Sequence, residues 1–171
     1  MEVYDADSYK QWIRPFLERL SPALESQLQT IFTSRFHPHV VLLETVVFPD
    51  GLREGIPLRM FLIDAHNSEA FHHDPTYFLP TSIGLLEEIK EVIPQSEVDR
   101  QKRYEEAGVE TIEVETITLL EWFVTCWIRA GGQHCTLPAY LCRHDDRESF
   151  DLKQMKWEAD RQGKQTHFLQ G

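Results

Sequence analysis

Residues 64–75 read DAHNSEAFHHDP. Asp64, His66, His72, His73 and Asp74 are all metal-ligand types, crowded into one short stretch behind an apolar segment. A divalent metal needs neutral imidazoles and carboxylates converging within about 2.0–2.2 Å of one point. Asp64 and His66 alternate at the end of a strand-like run, which turns both to one face. His72 or His73, with Asp74, completes a site if the chain folds back. A metal there would activate a bound water, and the chain would be a small metal-dependent hydrolase. No tight signature supports this, because neither HExxH nor a repeated CxxC occurs. A hydrophilic connector between a strand and a helix explains the same residues. The connector is the expectation, with no cofactor, and the divalent-metal hydrolase is the alternative.

Three other groupings invite chemistry. His37 and His39 flank Pro38 at a strand entry, where a helix-to-strand turn accounts for them as well as ligation does. Cys142 and His144 share a strand face beside Asp145, but neighbours at i and i+2 stand side by side, too far apart for the hydrogen bond a thiolate nucleophile needs. Gly131-Gly132 lacks the Lys-Ser/Thr of a phosphate loop and reads as a helix stop. Cys126, set among Trp122, Phe123 and Trp127, reads as a small buried hydrophobe.

The charge balance says more. The 171 residues carry a formal net charge of -11. Affinity for a phosphate backbone comes mostly from Lys and Arg, so nucleic acid is not an expected partner, nor is an anionic membrane surface. A basic protein partner is favoured, because complementary fields speed encounter. Glu87, Glu88, Glu91, Glu105, Glu106, Glu110, Glu113 and Glu115 make the middle of the chain acidic, on faces predicted to be exposed. Binding energy at such a surface concentrates in aromatic anchors. The predicted partner-binding residues are therefore Tyr104 with Glu105, Glu106 and Glu110, and then Tyr77 and Phe78.

The N-terminus has neither a basic nor an apolar signal-peptide region, no run approaches a membrane span, and three cysteines make no disulfide framework. A cytoplasmic protein is expected. Function follows by elimination and charge: a non-enzymatic interaction domain, with an inhibitor or immunity-type protein as one concrete form. A small subunit docking its helix at Ser96–Ala107 on a larger assembly is a third possibility.

The elements that position these residues read as follows. Trp12, Phe16, Leu17 and Leu20 form one helical face, with a kink or restart expected at Pro15. A second helix follows, with Ser21 as N-cap and Pro22 at its first position. HVVLLETVVF and LRMFLIDA are strands of a hairpin around PDGLREGIP. TSIGLLEEIKEVIP reads as a helix ending before Pro94. SEVDRQKRYEEAG reads as a polar, exposed helix, capped through Ser96 and Asp99 and stopped at Gly108. VETIEVET alternates like a strand with one wet face. A capping box at Thr118 and Glu121 then opens a helix with Leu120, Phe123, Val124, Trp127 and Ile128 on its apolar side. Two strands around Asp145-Asp146 close the domain. The sum is one α+β domain over residues 1–157: N-terminal helices, a mostly antiparallel sheet with inserted helices, and a C-terminal β-hairpin. A polar, frayed tail is expected over 158–171.

Overall fold

In the computed structural model, which describes residues 1–159, two helices lead into a six-stranded sheet. α1 (Ala6–Glu18) starts on a capping box in which Asp5 and Ser8 satisfy each other's backbone N–H. It runs through Pro15 without a break. Pro15 lies on the exposed side, where the carbonyl that a proline leaves unpaired is open to solvent rather than buried. In α2 (Ser21–Phe32) the N-cap is Leu20 and Pro22 falls in the first turn. The Ser21 hydroxyl is not a cap; it accepts the Trp122 indole N–H at 2.8 Å.

β1 (Leu42–Val47) and β2 (Leu58–Ile63) form the expected antiparallel hairpin. β3 (Ser82–Gly84) adds to β2, and β4 (Ala139–Arg143) lies parallel to β1. β5 (Glu148–Asp151) and β6 (Lys156–Ala159) extend the other side, giving the order β3-β2-β1-β4-β5-β6. The sheet is thus mostly antiparallel, with its one parallel pair at the centre, and the α+β class stands. All six residues of β1 are buried, as expected of a central strand. Glu158 and Ala159, assigned by the sequence to the tail, belong to β6. The remainder of that tail lies outside the described residues.

Two elements differ from expectation. Residues 111–117 are not a strand. They are the first two turns of α4 (Thr111–Arg129), which packs on α1, α2 and the central strands. Thr118, expected as the N-cap, sits inside this helix with its hydroxyl on the Val114 carbonyl. The buried stripe keeps the expected Leu120, Phe123 and Trp127 and adds Thr111, Glu115, Thr118, Leu119, Trp122 and Cys126, a helical period that contains a carboxylate. Ile128, expected on the apolar side, is exposed, as are Ile112 and Ile117. Residues 81–93 are not a helix either. Thr81 bonds to Leu62, residues 82–84 form β3, and Leu86 takes a left-handed φ of 54° that ends any regular run. Its N–H donates to Gln27 of α2 at 2.9 Å.

α3 (Val98–Glu106) appears where expected and stops at Gly108, whose φ is +86°. No side chain caps its start, so the Ser96–Asp99 box is absent. It is not exposed all round, because Gln101 and Tyr104 are buried. α4 ends at Gly131 in the left-handed region. Gly132 follows under the Trp127 ring, where a Cβ would come within 2.3 Å of the indole.

Candidate functional site

The two carboxylates of the histidine-rich loop are spent on its own turns. One Asp64 carboxylate oxygen accepts the backbone N–H groups of His66 and Ser68, at 2.8 and 3.0 Å. An Asp74 oxygen accepts the Thr76 N–H and hydroxyl, at 3.0 and 2.8 Å. Those bonds hold the Asp74 carboxyl below its usual range. The His72 ring places Nε2 2.9 Å from the Phe78 carbonyl and stacks on His37 with centroids 4.4 Å apart. His37 also meets His39 at 4.3 Å and Tyr77 at 4.9 Å. Desolvation, then the charges of His39 and His72, push the His37 pKa down. His66 and His73 are exposed. Among the described residues no three His, Cys, Asp or Glu side chains are grouped so as to hold a metal ion. The five residues singled out by sequence are spread along two turns, and the metal-hydrolase reading gains nothing from their placement.

Of the predicted partner-binding residues, Tyr104 is misplaced by the sequence reading. It is 1% exposed and packs against Tyr4, Tyr9 and Trp12, which excludes it as a surface anchor. A polar helix can bury one aromatic when its neighbours supply the apolar wall. Glu105 forms an ion pair with Arg53 at 3.0 Å. Glu106 and Glu110 are exposed. Tyr77 and Phe78 are half-buried, with Tyr77 under the Arg35 guanidinium and Phe78 against Phe36. Cys142 is buried and its thiol is pushed up to about 11, mainly by desolvation. His144 lies 3.1 Å from Asp145, and no hydrogen bond joins it to Cys142 among the described residues.

Sequence reasoning missed the arrangement around Glu115. This carboxylate is 1% exposed in the middle of α4's buried face. It accepts the Tyr9 hydroxyl, the Gln101 side-chain amide at 2.8 Å and the Leu52 backbone N–H at 2.9 Å. Gln101 in turn accepts Arg53 Nε at 2.6 Å. Burial raises the Glu115 pKa, with the three hydrogen bonds opposing. Desolvation raises the Tyr9 phenol as well. The network ties the β1–β2 connection to α1, α3 and α4. A buried polar group needs such partners, and here they come from three other parts of the chain.

The tied loop forms one wall of a cleft of about 420 Å³. Asp50 and Glu54 stand on that wall and Glu87 on the facing segment; Ile56, Pro57 and Ile89 supply apolar lining. The walls meet closely. The Ile93 N–H donates to the Leu52 carbonyl at 3.3 Å, and a Cβ on Gly55 would lie 2.7 Å from the Ile89 carbonyl oxygen. Lys90, also at the cleft, donates to the Glu87 carbonyl. The glycines of PDGLREGIP were the signal in the sequence, because a loop with two positive-φ glycines is shaped for close backbone approach.

No protein-family model matches the chain, and no curated protein or solved structure is significantly similar to it. No helix among the described residues is long and apolar enough to cross a membrane.

Proposed function

We propose that this chain is a non-enzymatic, cytoplasmic interaction domain that binds a basic protein, with an inhibitor or immunity-type protein as its concrete form. The observation that carries the reading is an imbalance on the surface. Asp50, Glu54, Glu88, Glu106 and Glu110 are exposed and take part in no ion pair among the described residues. Lys10, Arg14, Arg53, Arg59, Arg100, Arg129 and Arg143 are each already paired with a carboxylate. These carboxylates carry part of the net charge of -11, and no ion pair among the described residues cancels their field. Such a field repels anions, draws cationic surfaces inward and raises the association rate at low salt.

The test is retrieval of tagged protein from its own cells at low ionic strength, followed by salt elution. A stoichiometric basic protein, with an association rate that falls steeply with salt, is the expected result. Recovery of only neutral or acidic partners, bound independently of salt, would overturn the reading.

A further inference from the structure

We infer that the cleft between residues 49–57 and 86–90 receives a lysine or arginine side chain from an extended basic segment of the partner. The inference rests on the reading above and specifies where and how it acts. Charge complementarity selects the occupant. Asp50, Glu54 and Glu87 line the cleft on both walls, and Lys90, the cation in its lining, donates to the Glu87 backbone carbonyl. Glu87 is shared with Arg59 at 2.9 Å, which leaves Asp50 and Glu54 as the carboxylates in no ion pair among the described residues. The apolar lining narrows the choice further. Lysine and arginine carry an aliphatic stem below a charged head. Ile56, Pro57 and Ile89 suit the stem, while the carboxylates suit the head. A small inorganic cation would leave that apolar lining uncovered.

The cleft is also built rather than incidental. Leu52 is fully buried between Asp50 and Glu54, its N–H held by Glu115 and its carbonyl by Ile93. Gln27 of α2 fixes the opposite wall through the Leu86 N–H. Both walls are thus held before a partner arrives, which limits the ordering cost of binding.

The experiment is an NMR titration of the ¹⁵N-labelled chain with an arginine-rich peptide at low salt. The control is the same peptide with citrulline in place of arginine. The expected result is saturable shifts at the Gly51, Gly55 and Ile89 amides with the arginine peptide alone. Glu54→Gln with Asp50→Asn should weaken binding about tenfold and leave the spectrum elsewhere unchanged. A second variant, Glu148→Gln in β5, removes an exposed carboxylate outside the cleft and should bind as wild type. Shifts that map to α3 and survive the cleft substitutions would overturn the cleft while leaving the basic-partner reading intact. Equal binding of the citrulline peptide, or none of the arginine peptide, would overturn both.

Discussion

The Tyr9 hydroxyl donates to the buried carboxylate of Glu115, joining α1 to α4 between positions 106 apart in the chain. The same carboxylate holds the Leu52 N–H, so one side chain links the helical layer to the loop that walls the acidic cleft. Stability and the candidate binding surface are thereby coupled through Glu115.

Tyr9→Phe should destabilise the fold by about 1–3 kcal/mol, the cost of leaving a buried polar group short of a partner. Because the Tyr9 hydrogen bond lowers the Glu115 pKa, its loss should raise that pKa further. Urea unfolding gives the first quantity, and a carboxyl ¹³C titration gives the second.

Glu115 also gives the fold a signed pH dependence. Its folded pKa lies above the ordinary 4.5. Folding therefore favours the protonated form, and this contribution is full below pH 4.5 and lost as pH rises through the folded pKa. Against Glu115→Gln, the stability of the wild type should fall across that interval and run parallel above it. Chemical unfolding at a series of pH values reads the difference.

Much of this architecture was legible in the sequence, and the failures share a cause. The β1–β2 hairpin, α1, α2, α3, the second half of α4 and the β4–β5 turn all follow from apolar periodicity and turn residues. Periodicity assumes that a charged residue faces water. Glu115 breaks the assumption because Tyr9, Leu52 and Gln101 satisfy it from afar, so residues 109–116 looked like a half-wet strand. Tyr104 was misjudged for the mirror reason: the tyrosines and tryptophan that enclose it come from the N-terminal segment. Leu86 reads as a helix former, and only its bond to Gln27 explains the turn. The histidine-rich loop was legible as a loop, whereas the cleft, built from two segments separated in the chain, was not.

Gly55 takes a φ of +132° with the Ile89 carbonyl 2.7 Å from where a Cβ would sit. Gly55→Ala should therefore cost about 1–3 kcal/mol and push the cleft walls apart. A lower melting temperature, with amide shifts confined to residues 49–57 and 86–93, is the expected outcome.

Cys126, Cys135 and Cys142 are all buried. Desolvation pushes the Cys126 and Cys142 thiols up to about 11. Thiolate is the reactive form, so a disulfide reagent near neutral pH should label the native protein slowly and all three cysteines rapidly in denaturant.

His37 should titrate below the ordinary 6.5, because desolvation and its neighbours His39 and His72 disfavour its charge. Asp74 opposes them, so Asp74→Asn should lower the His37 value further. Ring-proton NMR against pH measures both.

The central claim is that uncompensated carboxylates draw a basic partner to this domain. Its most direct test is the affinity of the salt-eluted partner for wild type and for the Glu54→Lys, Asp50→Lys double variant, measured at low and high ionic strength. The account predicts tight, salt-sensitive binding by wild type and a loss of at least about tenfold on charge reversal, about 1.4 kcal/mol. Affinity unchanged by both salt and reversal would contradict it.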